Sequence, residues 1–478
     1  MSLARVFDVL VILCVLVASS RALEGNATSS ACDIVEEETI VTINCTRRTI
    51  DRITDAWPEE VSKIPKDVHV FITFYNNSIT NITKLPKVPG SHQVAVNFKN
   101  NQVVDIVPGA FSDLTFLTFV DLTNNLLTGE VLRSEIFQGP YDGAGEYGNI
   151  ALESLYLSHN EIHSLDRYLF QYTPNLTVLW LNYNPIEILD QVTLMAISSA
   201  VNLKFLDLSY TGIDSIPYEA FKGLTNLNQI DLSGNKFVTV PESLRLVGNS
   251  LEVLTFNNNP IVELNDDSFN DLTHLIQLEV GDNDYLEEVK RSTFSPLKSL
   301  RTLHLCHNRR LRYISHNAFR GLKDQWTLTE VHLDDNNLSE LSSDLMPWSK
   351  LVLLGMSGNN WLCNCDLANI VTKQGAGQKF KEDEIPYCAA PIKLSGQYIT
   401  NITLTFCPTF DDTFNRKKGF SMSDLKPKHV LWSIFGVATV VGLGMVIGLL
   451  VNGIKAYIKR MRSQPIHYIN LNEDSSFA

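Results

Sequence analysis

The sequence lacks an excess of positive charge, because its 478 residues contain 39 Lys and Arg against 53 Asp and Glu, a formal net charge of −14. Such a chain repels a phosphate backbone, which excludes nucleic acid as the expected partner. It also lacks the composition of a disordered protein, since 44% of its residues are hydrophobic and only 19% are charged. Ordered domains with a sizeable core are therefore expected.

Long apolar runs are missing from the middle of the chain and occur only near its ends. The run at residues 9–18 is followed by small residues, which predicts a secretory signal peptide over residues 1–22. The run at 430–451 has no charge and would form about 33 Å of helix, enough to cross a bilayer core of about 30 Å. We therefore expect a single-pass type I protein of the plasma membrane, with residues 23–429 outside the cell.

Glycosylation sites and cysteines indicate the same topology. No Asn-x-Ser/Thr sequon lies in the last 77 residues, and seven precede them, at Asn26, Asn44, Asn76, Asn81, Asn175, Asn337 and Asn401. Six of the eight cysteines lie near the ends of the predicted ectodomain, at Cys32, Cys45, Cys363, Cys365, Cys388 and Cys407. Cysteines placed in this way are typical of disulfides in an oxidising compartment, although spacing alone leaves three pairings open for the last four.

A repeat of about 24 residues organises the ectodomain. The pattern LxxLxLxxNxL begins at Leu152, Leu176 and Leu227 and recurs about twelve times over residues 68–362. The alternating leucines predict a short strand with one face inward, and the Asn is expected to be a buried amide that caps the backbone of the next turn. A single unit buries too few apolar groups to offset its own backbone entropy, so stability must come from stacking. Thr211 replaces the Asn in one unit, which predicts a local weakness.

One spacing in the array is longer than the others. The segment 129–150 stretches the distance between two repeat starts to 35 residues. It is interpreted as an excursion loop of about eleven extra residues, either disordered or a contact element.

These repeats, together with the sequence WLCNCDL at 361–367 and the two cysteines that follow it, resemble the extracellular leucine-rich repeat superfamily. The resemblance implies an α/β-type solenoid, a leucine-rich repeat horseshoe with short parallel strands on the concave face and disulfide caps, plus one transmembrane helix. It also implies the bridges Cys363–Cys388 and Cys365–Cys407, and a reduced N-terminal cap that holds Cys32–Cys45.

The predicted organisation has seven parts in chain order. They are a signal peptide (1–22), an N-terminal cap region (23–67), the repeats (68–362, with the insertion near 129–150), a cysteine-rich C-terminal cap (363–407), a stalk (408–429), the transmembrane helix (430–451) and a cytoplasmic tail (452–478).

One column of strand residues is expected to face the concave surface. It changes from aromatic to acidic to histidine along the chain, through Tyr156, Trp180, Asp207, Asp231, Thr255, Glu279, His304 and His332. Exposed aromatic residues are typical anchors of protein interfaces, and Phe205, Tyr183 and Tyr210 fall beside them. The column is therefore a predicted ligand-binding surface, and the alternative is that the rings only bury one another. No sequon falls in this column or the next, so glycans are not expected to cover it.

Catalytic, metal and cofactor sites are not predicted. His159, Glu161 and His163 alternate as metal ligands do, but the residues between them belong to the repeat core, so the three are interpreted as a solvated rim. Cys306 is the odd cysteine of the mature chain and lies near His304, but nothing orients a base beside it. We interpret it as an unpaired, partly covered thiol.

The predicted cytoplasmic tail has only 27 residues, too few for a kinase, phosphatase or Toll-type domain. It contains Tyr468 and Leu471 in a Tyr-x-x-apolar pattern, which resembles both an endocytic signal and a phosphotyrosine motif. The corresponding partners would be a cytosolic sorting adaptor or an SH2 protein.

Two functions from different classes compete. The leading prediction is a non-catalytic adhesion or recognition receptor that binds an extracellular protein, homophilic or heterophilic, because the ectodomain resembles adhesion proteins of the connectin and capricious kind. The second is an innate-immune pattern-recognition receptor or co-receptor, for which the acidic concave column argues against anionic lipopolysaccharide. A membrane-tethered hydrolase using Cys306 is the third hypothesis.

Overall fold

The computed structural model of the protein describes residues 32–401 except 54–55, 65–67, 91–92, 323–324 and 382–383. The predicted signal peptide, stalk, membrane span and cytoplasmic tail lie outside the described residues, as do Asn26, Cys407, Tyr468 and Leu471. Among the described residues, no helix has both the length and the apolar composition needed to span a membrane.

The described part of the chain is dominated by short strands. Their bounds are β1 Asp33–Glu36, β2 Ile40–Asn44, β3 His69–Thr73, β4 Asn81–Ile82, β5 Val94–Asn97, β6 Asp105–Ile106, β7 Leu117–Asp121, β8 Ser154–Tyr156, β9 Val178–Trp180, β10 Phe205–Asp207, β11 Gln229–Asp231, β12 Val253–Thr255, β13 Glu263–Leu264, β14 Gln277–Glu279, β15 Glu288–Val289, β16 Thr302–His304, β17 Tyr313–Ile314, β18 Glu330–His332 and β19 Leu353–Gly355.

Fourteen of these strands form one long sheet in the order β1-β2-β3-β5-β7-β8-β9-β10-β11-β12-β14-β16-β18-β19. Strand β1 is antiparallel to β2, and every later pair in the sheet is parallel. The twelve strands from β3 onward each belong to one repeat, which confirms the prediction of about twelve units in a parallel-strand solenoid.

The return segments of the repeats contain little regular structure. They form two small sheets, β4-β6 and β13-β15-β17, and the α-helix α1 at Gln191–Ser199, whose N-cap Asp190 accepts a hydrogen bond from the backbone N–H of Thr193. The C-terminal cap contains a second helix, α2 at Cys365–Ala368, and the π-helical turn Asn369–Lys373. Further 3₁₀ turns are at Glu59–Lys63, Ser134–Phe137, Tyr218–Phe221, Glu242–Val247, Trp348–Lys350, Ala376–Gln378 and Ile399–Asn401.

One continuous core lies between the long sheet and the return segments. The middle residue of each three-residue repeat strand points inward and is fully buried, as Leu155, Leu179 and Leu254 are. On the return side Phe294 stacks between Phe269 and Phe319, at ring-centroid distances of 6.1 and 4.8 Å. Neighbouring units therefore bury each other, as the repeat pattern predicts.

The buried asparagines form a ladder, but in the direction opposite to the one expected. The Asn184 amide donates to the carbonyl oxygens of Leu157, in the preceding turn, and Leu181, in its own turn, at 2.9 and 2.8 Å. Its Oδ1 accepts a hydrogen bond from the backbone N–H of Ile162, again in the preceding turn. The prediction that each Asn caps the next turn is therefore wrong. Each Asn side chain bonds the preceding turn instead, because the backbone N–H and C=O groups that lack a partner in that turn lie beside it.

Thr211 provides fewer links than an Asn does. Its hydroxyl donates to Leu208 O at 2.7 Å, within its own turn, and lies 3.1 Å from Oδ1 of Asn235. The link to the preceding turn comes from the backbone instead, since the N–H of Glu187 donates to Thr211 O at 2.9 Å. The two side-chain hydrogen bonds to the preceding turn that Asn184 makes are therefore missing at this position.

Disulfides close both ends of the described chain. The implied bridges Cys32–Cys45 and Cys363–Cys388 are confirmed. Cys365 is also disulfide-bonded, and Cys407, the partner implied for it, lies outside the described residues.

The insertion near 129–150 is structured. Ile136 and Phe137 of its 3₁₀ turn are buried, and the Phe137 ring stacks on Phe111 at 5.9 Å. Its tip is a short antiparallel bridge between Tyr141 and Tyr147, whose exposed rings are 5.3 Å apart. Of the two readings left open, disorder is wrong, and a contact role stays a prediction.

Candidate functional site on the concave face

The predicted concave column is a continuous line across the sheet. Strand register aligns Tyr156 with Trp180, Trp180 with Asp207, and so on to His332. The same register extends the line upstream, through residues that sequence reasoning did not include: Asn44, Thr73, Asn97 and Asp121. The register therefore brings the predicted ligand-binding column, from Tyr156 to His332, onto one face of the sheet.

An aromatic chain occupies the first part of this face. The rings of Phe119, Tyr156, Trp180 and Phe205 contact one another in that order, at centroid distances of 4.9, 5.1 and 5.2 Å. Phe119 is buried, and the other three are half-buried. Burial, together with the nearby charge of Asp121, raises the pKa of Tyr156 to about 12. The rings thus cover part of one another and still present aromatic surface to solvent.

A second aromatic stack runs beside the first. It joins His159 to Tyr183 at 4.2 Å and Tyr183 to Tyr210 at 4.6 Å, with ring planes 7° and 3° apart. All three residues have left-handed backbone conformations, and the two tyrosines are 43% and 40% exposed. The next residue of this series is Gly234, where a Cβ would lie 2.3 Å from the Tyr210 ring, so glycine makes room for the stack to end there.

Sequence reasoning placed Tyr183 and Tyr210 beside the aromatic end of the column but did not join them to His159, which it interpreted as part of a solvated rim. The available signal is positional: His159, Tyr183 and Tyr210 each immediately precede the ladder position of their repeat. Within the described ranges, no group of three or more His, Cys, Asp or Glu side chains is placed to hold a metal ion.

Two aspartates follow the aromatic residues on adjacent strands. The Oδ1 atoms of Asp207 and Asp231 accept hydrogen bonds from the backbone N–H groups of Ser209 and Ser233, at 2.8 and 2.9 Å. Burial is the largest cause that raises the pKa of Asp207, to about 6, and the charge of Asp231 adds to it. Burial also raises the pKa of Asp231. Asn97 makes the same backbone contact with its amide oxygen, so one oxygen of each Asp has a structural role.

A cavity of about 490 Å³ opens beside these aspartates. Its walls combine carboxylates, amides and hydroxyls with one aromatic ring and two basic side chains, from Tyr210, Asp231, Ser233, Thr255, Asn257, Asn258, Asp282, Asp284, His307 and Arg309. The hydroxyl of Tyr210 accepts a hydrogen bond from the Asn258 amide at 3.3 Å, so the last ring of the second stack is also a wall of the cavity.

Histidines occupy the last part of the column. The rings of His304 and His332 stack at 4.4 Å, and His332 Nδ1 lies 3.8 Å from a carboxylate oxygen of Asp334. Burial, followed by the proximity of His332, lowers the pKa of His304. Burial opposes ionisation of Asp334, but hydrogen bonds from His332 and Ser357 outweigh it and lower the pKa of this carboxyl.

The surroundings of Cys306 do not activate its thiol as a nucleophile. It is a free, half-buried cysteine whose Sγ lies 4.0 Å from a carboxylate oxygen of Asp334. Burial and this neighbouring negative charge raise its pKa to about 12, so the thiol stays protonated at neutral pH and is a poor nucleophile.

Two sequons lie on the N-terminal part of the concave side. Asn44 occupies the upstream end of the column, where its Oδ1 accepts from the N–H of Thr46 at 3.0 Å, and Asn76 has the left-handed conformation of the second stack's series. The predicted column, from Tyr156 to His332, contains no sequon. The two sequons lie on the upstream side, which the sequence prediction did not include. Four other sequon residues are exposed elsewhere: Asn81, Asn175, Asn337 and Asn401.

Part of this sequence matches the profile of a known protein family. The profile described as leucine rich repeat matches residues 150–204, 201–246 and 249–309. The Listeria monocytogenes structure titled "Functional domain of InlJ from Listeria monocytogenes includes a cysteine ladder" aligns with 69% of this chain and 65% of its own, at 19% identity and a TM-score of 0.41.

Three relatives illustrate the range of similar proteins. Tsukushi of Gallus gallus is 25% identical over 253 residues, covering 48% of this chain and 64% of that protein. Toll-like receptor 3 of Boselaphus tragocamelus is 30% identical over 256 residues, covering 53% of this chain and 25% of that protein. Fibromodulin of Bos taurus is 28% identical over 288 residues, covering 58% of this chain and 69% of that protein.

The match thus spans less than two thirds of Tsukushi and a quarter of Toll-like receptor 3. The match to the leucine rich repeat profile thus lies within residues 150–309, and the parallel sheet of the solenoid continues beyond these residues on both sides.

Proposed function

We propose that this chain is a cell-surface recognition receptor whose repeat array binds an extracellular protein through the concave face between Tyr156 and His332, without catalysis of its own. The observation that carries the proposal is the continuous register of that face, which joins an aromatic surface to acidic side chains that form no ion pair among the described residues. Aromatic residues with a polar surround are typical of protein interfaces.

Glycan placement supports the same surface. The sequons that fall on the concave side, at Asn44 and Asn76, lie upstream of the aromatic chain. A glycan at either position would leave the stretch from Tyr156 to His332 accessible to a partner of protein size.

The membrane arrangement is part of the proposal. The apolar run 430–451 anchors the array as a type I protein of the plasma membrane, and Tyr468 with Leu471 recruits a sorting adaptor or an SH2 protein. The adhesion role includes both homophilic and heterophilic partners.

Cell aggregation tests this function. Cells that express the full chain should aggregate with one another, or bind members of a panel of secreted and surface proteins. The double variant Tyr156→Ala, Trp180→Ala should weaken the binding while surface expression persists. Tyr168→Ala provides the matched control, because Tyr168 is 56% exposed and outside the column. Absence of any binding to like cells and to the panel would contradict the proposal, and binding unaffected by the double variant would move the site off this face.

A second candidate is an innate-immune receptor or co-receptor for microbial molecules. The 30% identity over 256 residues with Toll-like receptor 3 favours it. Induction of expression by infection would support this function, whereas expression confined to neurons or tissue boundaries would support adhesion.

A further inference from the structure

We propose that the stacked rings of His304 and His332 are an acid-responsive element, which releases the partner of the concave face when the chain enters an acidified compartment. This inference rests on the proposed function, because it adds the condition under which that binding ends. It gives the histidine end of the column a role that the aromatic end cannot have, since aromatic rings do not change their charge near neutral pH.

The two rings occupy the same register position on adjacent strands. β16 and β18 pair His304 with His332, and the rings are 4.4 Å apart and 7° from parallel. The side chain of His332 is only 12% exposed, so the stack is largely removed from water. Two neutral imidazoles are compatible with this arrangement, whereas two imidazolium charges at this distance would repel each other. The stack is therefore sensitive to proton uptake.

The groups that face the stack are acidic. Among the described residues, three carboxylates and one thiol lie around it: Glu279 from β14, Glu330 from β18, Asp334 from the turn after β18 and Cys306 from the turn after β16. The residue of β19 paired with His332 is Gly355, which contributes no side chain. Proton uptake by the stack thus makes this end of the concave face less negative.

Glu279 is an anchored neighbour of the stack. Its two carboxylate oxygens accept hydrogen bonds from the side-chain amides of Gln277 and Asn257, at 2.7 and 3.2 Å. The charge beside His304 is therefore fixed in position. Burial, followed by the proximity of His332, lowers the pKa of His304, so this ring takes up its proton only after acidification.

A partner that covers the stack couples its binding to this proton. Covering the rings removes their remaining water and disfavours the imidazolium form, so the complex holds fewer protons than the free face. The affinity therefore falls as pH drops through the range in which the free rings take up a proton. If the complex excludes one proton, the loss is about tenfold for each pH unit below that range.

The tail of the chain provides a route to acidic compartments. Tyr468 and Leu471 form a Tyr-x-x-apolar pattern, which the proposed function assigns to a sorting adaptor. A receptor internalised in this way moves from neutral surroundings into an acidified vesicle. Histidine is the side chain whose ordinary titration lies between these two conditions.

Hydrogen–deuterium exchange at the imidazole C2 position, measured for each histidine by mass spectrometry as a function of pH, tests the stack in the full chain in detergent. We expect His304 to titrate at lower pH than the exposed His274 and His316. His332→Gln should move the His304 midpoint upward, because it removes the neighbouring ring that opposes the charge. A His304 midpoint equal to those of the exposed histidines, or unchanged in the variant, would overturn the inference.

Binding to cells that express the full chain tests the release. The probes are like cells and the panel proteins that bind at pH 7.4. Transfer of the bound cells to pH 5.5 should weaken the binding by about three- to tenfold. Equal binding at the two pH values, or stronger binding at pH 5.5, would overturn the inference.

Variants assign the loss of binding to the stack. His304→Gln with His332→Gln removes both titrating rings, so its ratio of binding at pH 7.4 to binding at pH 5.5 should approach one, whatever its binding at pH 7.4. His304→Gln alone should give an intermediate ratio. The matched control, His274→Gln with His316→Gln, removes two exposed histidines outside the column and should keep the ratio of the unmodified protein. A ratio lost in the control, or lost in Asp207→Asn and kept in the double variant, would contradict the proposal.

The two pH values also separate this inference from the function on which it rests. Suppose binding at pH 7.4 depends on Trp180 and persists unchanged at pH 5.5. The concave face then remains the binding surface, and acid release is excluded. If like cells and the panel fail to bind at pH 7.4, the proposed function falls, and acid release falls with it.

Discussion

The concave column has two stretches, whose partly buried side chains make different kinds of contact. Tyr156 and Trp180 are aromatic, and their rings contact each other and the neighbouring rings of Phe119 and Phe205. From Asp207 to His332 every column residue except Thr255 is ionisable, and the partners of these side chains are backbone N–H groups, amides or each other. Both stretches belong to the same parallel sheet, so the difference between them comes from the side chains alone.

This contrast separates two contributions to recognition. The aromatic stretch buries area whether or not a ligand is bound, so its residues contribute to stability and binding together. The ionisable stretch holds charge in a partly desolvated position, which costs stability in the free protein and favours a complementary partner. Stability measurements on single variants should therefore distinguish the two.

The largest expected effect is in the aromatic stretch. Trp180→Ala removes a ring that contacts both Tyr156 and Phe205, and should lower the free energy of unfolding by about 2–3 kcal/mol. Thr255→Ala, in the ionisable stretch, should change it by less than about 1 kcal/mol. Urea unfolding followed by circular dichroism measures both, and equal effects would remove the contrast.

The next largest effect is an increase in the free energy of unfolding, and it is expected in the ionisable stretch. Burial raises the pKa of Asp207 to about 6 in the folded state, above its ordinary value of 3.8. Between these values the folded state binds more protons than the unfolded state, so stability falls as pH rises through this window. Asp207→Asn keeps the contact to Ser209, as Asn97 does to Lys99, and should raise the free energy of unfolding at pH 7 by about 1–2 kcal/mol. Between pH 4 and 7 the free energy of unfolding of the variant should no longer fall as pH rises. If it falls as steeply as in the unmodified protein, Asp207 is not the group responsible.

His304 should respond to pH in the reverse direction. Its folded pKa lies below 6.5, so the unfolded state binds more protons, and stability falls as pH drops below 6.5 through the folded pKa. The facing groups are His332, Glu279, Glu330 and Asp334, of which the carboxylates moderate the effect. His304→Gln should reduce the loss of stability between pH 7 and pH 5 by less than about 1 kcal/mol. Melting temperatures at both pH values measure this, with exposed His274→Gln as the control.

The smallest effect is expected at Cys306. Because its pKa is about 12, the thiol should react slowly with iodoacetamide at pH 7.5, and Cys306→Ser should change the free energy of unfolding by less than about 1 kcal/mol. Rapid alkylation in the folded protein, or loss of cell binding in the variant, would give this thiol a role in the ionisable stretch after all.

The strands and the inward leucines could be predicted because a period of about 24 residues repeats the same burial many times. The register of the column followed from the same period. The direction of the Asn bonds could not be predicted, since one position in a repeat does not tell on which side its neighbour's free carbonyl lies.

The second aromatic stack was missed for a different reason. His159, Tyr183 and Tyr210 meet because their backbones are left-handed, and neither histidine nor tyrosine signals that conformation in the way glycine does. The upstream column was missed because Asn44 lies in the N-terminal cap region and Thr73 lies in a repeat with a weak leucine pattern.

The backward ladder also bears on synthesis. A turn such as the one ending at Leu157 completes its hydrogen bonds only when Asn184 arrives from the next repeat. During translation, the newest turn at the exit site therefore always has unsatisfied backbone groups, whereas every earlier turn is already closed. A pause in translation therefore leaves the last turn incomplete, with its polar backbone groups and its apolar face toward the missing repeat both uncovered.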